Sequence, residues 1–192
     1  MIAVVGCGHS GTFHISEVFQ RIGVDIRHEQ VGRDGVAGWN YTHLLREQFP
    51  DFGLPVNAVV LHQTRHPLRV ISSLQAMEDD TWEEVGRRAA CRGIEWNPLE
   101  YPHPVRGMEY WVYWNRFAEG IAQYQYRVEN LPVAFPEILH LLGLPVVALP
   151  RVPKTMNKHE YSYNYEWSDL EAADSVLCER VRQMSVEYGY ER

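Results

Sequence analysis

One feature constrains this chain more than any other: an apolar strand, Ile2-Ala3-Val4-Val5, runs through three closely spaced glycines into an amphipathic helix. Gly6, Gly8 and Gly11 let the backbone turn tightly and bring its N–H groups towards an oxyanion. The helix that follows adds the partial positive charge of its N-terminus, and Ser10 and Thr12 add hydroxyl donors. Three readings fit these residues. They form a phosphate cradle, or the G-x-G-x-x-G fingerprint of a dinucleotide site with Glu29 as ribose acid, or a strand–helix turn with no ligand. An ordinary nucleotide-triphosphate loop is disfavoured, because no lysine follows Gly11.

The pattern beyond the loop repeats strand and helix. Apolar runs predict strands at Ile2–Gly6, Val24–His28, Val56–Thr64 and Tyr124–Val128. Helical spacing predicts helices at Thr12–Ile22, Val36–Phe49, Pro67–Met77, Thr81–Arg92, Met108–Ala122, Pro136–Leu142 and Leu170–Tyr188. Leu149–Trp167 lacks periodicity and reads as a long loop, the usual form of a lid or binding segment. The expected fold is α/β: a three-layer α/β/α arrangement with a mainly parallel central sheet, in a single domain over residues 1–192. Ligands of such sheets sit beyond the carboxyl ends of the strands.

Composition removes several classes. At 45% hydrophobic the chain is not a disordered one. No apolar run approaches the roughly 20 residues that span a bilayer, so no membrane partner is expected. The opening residues read as a strand rather than a secretory leader, with no anchoring stem ahead of them, and a cytoplasmic location is expected. Cys7, Cys91 and Cys178 suit neither a disulfide framework nor a zinc motif, and no metal is expected. A formal charge of −7 argues against a nucleic-acid polymer as partner while leaving a small anionic ligand open.

A second half-site follows the third predicted strand. Arg65 leaves its carboxyl end, Pro67 suits a first helical turn, and Ser73 lies further along that helix. A fixed guanidinium with a nearby hydroxyl can hold a second phosphate. In these residues the chain resembles the sulfotransferases that use 3′-phosphoadenylyl sulfate. Gly8-His9-Ser10-Gly11-Thr12-Phe13 is similar to their P-K-S-G-T-T loop. Arg65, Pro67 and Ser73 fit their Arg-x-Pro signature with a serine eight residues after the arginine. Tyr126-Arg127-Val128-Glu129-Asn130-Leu131 resembles their R-Y-E-D-L segment. Weaker likenesses lie at His28-Glu29, at Trp39 after a Gly-x-Asp-Gly turn, and at Met156-Asn157-Lys158.

The resemblance implies a P-loop NTPase-like fold and transfer of a sulfuryl group to a hydroxyl or amine of a small-molecule or carbohydrate acceptor. Residues 8–13 would hold the 5′-phosphosulfate, Arg65 and Ser73 the 3′-phosphate, and Lys158 the leaving side. His9 stands where the family carries a loop lysine, which makes its contribution depend on protonation or on a neutral N–H. Glu29 is the expected base for the acceptor, with His28 expected to face the opposite side of its strand. Trp39 is the expected acceptor contact. The alternatives are an NAD(P)-binding oxidoreductase and a nucleotide-binding module that has lost catalysis through His9.

Overall fold

The structure is a computed structural model that describes residues 1–41, 54, 57–153 and 163–191. The chain divides into two compact units, Met1–Arg65 with Phe117–Lys158, and His66–Arg116 with His159–Arg192.

The first unit is built on five parallel strands: β1 (Ile2–Val5), β2 (Ile26–His28), β3 (Gly35–Ala37), β4 (Val59–Thr64) and β5 (Tyr124–Arg127), in the order β2-β3-β1-β4-β5. Period-two alternation divides the strand side chains between two cores. Val4, Ala37, Leu61 and Tyr126 pack with α1 (Thr12–Arg21) and α5 (Leu131–Leu141), through Ile15, Phe19, Phe135 and Ile138. Ala3, Val5, Val36 and Val60 face the other way, onto Leu54, Ala58 and Ala118. Fully burying an aliphatic side chain of this kind contributes about 1.5–3 kcal/mol, so two filled faces give the sheet its driving force.

β3 replaces the start of the helix expected over Val36–Phe49; a 3-10 turn follows at Trp39–Tyr41, and residues 42–49 lie outside the described residues. The helical pattern misled because Val36 and Ala37 are both fully buried, one in each core. Gly35 is required there, since a Cβ would lie 2.0 Å from the Ile2 carbonyl oxygen. Only residues 29–34 join β2 to β3, far fewer than a usual parallel crossover. Asp25 holds this short link, accepting from the Arg33 N–H and giving its own N–H to the Asp34 carboxylate.

The second unit is helical: α2 (Pro67–Ser73), α3 (Asp79–Ala90), most of α4 (His103–Glu119), α6 (Trp167–Ala173) and α7 (Ser175–Glu187). Trp82, Trp111 and Trp114 are fully buried. Gly107 lets α4 approach α2, because a Cβ there would stand 3.1 Å from Ile71 Cγ2. The single helix expected over Leu170–Tyr188 is two. Asp174, extended at φ −160°, ends α6 and caps α7 by accepting from the Leu177 N–H at 2.9 Å. α5 begins five residues before the expected Pro136, which sits inside it. Among the described residues no helix is long and apolar enough to cross a membrane.

Candidate functional site

The glycine loop leaves the central strand. From β1 the chain passes through α1 to β2 on one side, whereas β4 leads to β5 on the other, so the direction of the connections reverses between β1 and β4. Parallel sheets bind ligands in the crevice at such a reversal.

The loop is held by β4 through backbone and a buried glutamine. A Cβ on Gly6 would lie 2.4 Å from the Gln63 carbonyl oxygen, so only glycine allows this approach. The Gln63 side chain donates to the Ser10 carbonyl at 2.8 Å and accepts from the Tyr126 hydroxyl at 2.7 Å. Burial pushes the Tyr126 phenol well up, keeping it a neutral donor. Gly11 adopts φ 95° between Val128 and the Gln63 amide. Ser10 gives its N–H to the Cys7 carbonyl at 3.3 Å. Its hydroxyl is fully buried and has no hydrogen-bond partner. That donor therefore remains unspent in a cradle too tight for a Cβ at Gly6.

Arg65 follows the last residue of β4, and its Nη1 donates to the His9 carbonyl at 2.9 Å. The guanidinium expected to form a second cradle thus reaches the loop itself. His9 and Glu29 are, among the described residues, the two non-glycines with positive φ, at 61° and 56°. Left-handed backbone disfavours L-residues by roughly 1 kcal/mol and clusters at functional sites.

Glu29 reaches the loop through His28. The left-handed turn at Glu29 ends the strand alternation, so both side chains come to the same side, where His28 was expected to face away. His28 Nε2 lies 3.2 Å from Thr12 Oγ1 and 3.7 Å from Glu29 Oε1, and its ring packs edge-on against Phe13 at 5.5 Å. Burial lowers the His28 pKa, with Glu29 opposing, so the imidazole is neutral at neutral pH. Hydroxyl and carboxylate share one ring nitrogen here. A nucleophilic triad needs the carboxylate on the other, so this arrangement does not activate Thr12 for attack.

Of the expected site residues, the structure brings together Gly8, His9, Ser10, Gly11, Thr12, Phe13, Arg65 and, through His28, Glu29. Trp39 is half-buried in the turn after β3. Its neighbour Gly38 has Glu29 Cγ within 3.3 Å of its Cβ position. Ser73 is buried at the end of α2 and belongs to the second unit. Lys158 lies outside the described residues. Gln63 and Tyr126 were not expected in the site. Their signal was a polar run, His62-Gln63-Thr64, closing an otherwise apolar buried strand. The described residues contain no group of three or more metal-ligating side chains.

No family model, curated protein or solved structure matches this chain.

Proposed function

We propose that the chain is a sulfotransferase-like protein, three-layered and P-loop-like, that uses 3′-phosphoadenylyl sulfate as donor. The reading is carried by the Arg65 guanidinium bonded to the glycine loop at the reversal point between β1 and β4. The orphaned Ser10 hydroxyl supports it, since a buried donor without an acceptor fits an oxyanion better than a bare turn. The strand order weighs against the NAD reading. In a dinucleotide fold the second strand lies directly beside the first, whereas here β3 stands between them.

The donor would supply an activated sulfuryl group on a phosphate leaving group. Ser10 and the loop amides would hold its phosphosulfate end, and Arg65 the 3′-phosphate. His9 would offer an N–H towards the leaving side. Glu29 would take the proton of the acceptor hydroxyl or amine, with neutral His28 beside it and bonded to the Thr12 hydroxyl.

The test is a thermal melt with adenosine 3′,5′-bisphosphate. A ligand at a hundred times its Kd stabilises by about 2.7 kcal/mol, which raises Tm by several degrees. Arg65→Gln is expected to abolish the rise. No shift at millimolar ligand rejects the proposal, and a shift with NADH that survives Arg65→Gln favours the dinucleotide reading instead. Bisphosphate binding with no sulfate transfer to any hydroxyl or amine acceptor identifies a lapsed module. If transfer occurs, Glu29→Gln should lower its rate about 100-fold or more with binding intact.

A further inference from the structure

The second unit holds a cluster that the proposed transfer does not use. Trp82 on α3 is fully buried, and its indole Nε1 has no hydrogen-bond partner. The Arg106 guanidinium carbon lies 4.9 Å from the centroid of that ring, and its Nε is likewise buried without a partner. His103, one turn earlier on α4, meets the same indole edge-on at 6.5 Å. It stacks on Tyr165 at 5.6 Å, with Nδ1 3.2 Å from the tyrosine hydroxyl. The His103 ring feels the Leu74 carbonyl, yet its buried Nε2 closes no hydrogen bond. Two N–H-bearing side chains thus gather around an indole whose own N–H is unpartnered, with no acceptor among the three. A buried donor left unsatisfied is costly, so the arrangement calls for an acceptor.

Arg106 is the sharpest anomaly. Arg27, Arg33, Arg87, Arg88, Arg116 and Arg182 each meet a carboxylate within 3.0 Å. Half-buried Arg106 meets none among the described residues, in a chain where acidic residues outnumber basic ones 25 to 18. Glu109, three residues along α4, does not answer it: its Oε2 is buried and unbonded, and its electrostatic neighbours are Asp174 and Arg180. A guanidinium in the first turn of a 17-residue helix also opposes the helix dipole, and that turn carries no acidic residue. A water molecule could accept the N–H bonds but would leave the charge uncompensated.

We infer that Arg106, Trp82 and His103 form an anion site at the start of α4, which takes an oxyanion group: a carboxylate, phosphate or sulfate. The guanidinium, held over the indole, supplies the charge and the N–H donors. Burial holds the His103 pKa down to about 4, so at neutral pH it serves as a neutral donor that adds no second charge. Nothing in this inference depends on the glycine loop.

The indole N–H resonances provide the test. The chain has six tryptophans, and Trp82→Phe assigns the Trp82 signal. The full chain is titrated with sulfate, phosphate and acetate at constant ionic strength, with chloride as the balancing salt. The Trp82 signal is expected to move saturably with at least one oxyanion at millimolar concentration, and the response of the three ions ranks the ligand's charge. Arg106→Gln is expected to weaken that response about tenfold or more, Arg106→Lys less, and Arg65→Gln not at all. The other five indole signals report whether Arg106→Gln is folded; if they move, Arg106→Lys decides. A Trp82 signal that does not saturate below roughly 50 mM, where binding is weaker than about 2 kcal/mol, overturns the site. So does an equal response in both Arg106 variants. A response lost in Arg65→Gln places the ion at the glycine loop and also overturns it.

Discussion

In the glycine loop, backbone meets backbone: Gly6 approaches the Gln63 carbonyl with no room for one carbon atom. Around Trp82, side chains meet side chains. Tyr110 packs edge-on at 5.7 Å, and Arg106 lies over the ring. The first arrangement is fixed by what is absent from the side chain and tolerates no addition. The second is fixed by volume and tolerates no removal. Both leave a buried donor unspent, Ser10 Oγ in one and Trp82 Nε1 in the other. Polar incompleteness at a packed site is therefore independent of how the packing is achieved.

The contrast can be broken most forcefully at Trp82. Trp82→Ala is expected to cost about 3–5 kcal/mol in denaturant unfolding. Trp82→Phe should cost far less than its lost area suggests, because it also removes an unsatisfied N–H. If Trp82→Phe costs as much as its lost area predicts, the indole N–H has an acceptor after all. Next comes Gly6→Ala, expected to cost about 2–3 kcal/mol through forced backbone movement, together with loss of any bisphosphate-induced Tm rise. A neutral Gly6→Ala would show that the loop is not clamped.

Gln63→Leu is the third. It strips the acceptor from the Tyr126 hydroxyl and the donor from the Ser10 carbonyl, at about 1–3 kcal/mol. Adding Tyr126→Phe should recover part of that loss, since the stranded hydroxyl goes too; additivity in the double-mutant cycle would mean the two side chains do not communicate.

The smallest effect is a pH dependence from His103. Its pKa is about 4 in the folded chain, below the unfolded value of about 6.5, so the unfolded state takes up its proton first as pH falls. Its share of stability is present above pH 6.5 and is lost progressively down to about pH 4. After allowance for solvent screening this amounts to about 1–2 kcal/mol. His103→Gln should flatten that part of the stability–pH curve measured by urea unfolding at pH 7, 5.5 and 4.

Much of the first unit was legible because its signals are local. The apolar run of β1, the loop glycines and the spacing of Ile15, Val18 and Phe19 each dictate geometry within a few residues. The parallel sheet followed from strand–helix alternation. What escaped depends on contacts distant in sequence. β3 is three residues long, and its identity rests on pairing with both β1 and β2. Gln63 looks like any polar residue until β5 brings Tyr126 to it. Asp174 breaks the C-terminal helix although the apolar spacing runs straight through it, because a capping carboxylate outweighs periodicity at one position. Glu29 was turned to the side of His28 by its own left-handed backbone, which no strand pattern encodes.

The left-handed backbone at positions 9 and 29 carries a practical consequence for anyone who randomises this protein. Glycine, asparagine and aspartate settle into that region with least resistance, and valine, isoleucine and threonine resist it most. Survivors of a saturation library at either position will be enriched for conformational ease before any chemistry is sampled. A selection for abundance alone, run in parallel, would reveal that enrichment, and only the preferences remaining after its subtraction would speak for a proton or a charge.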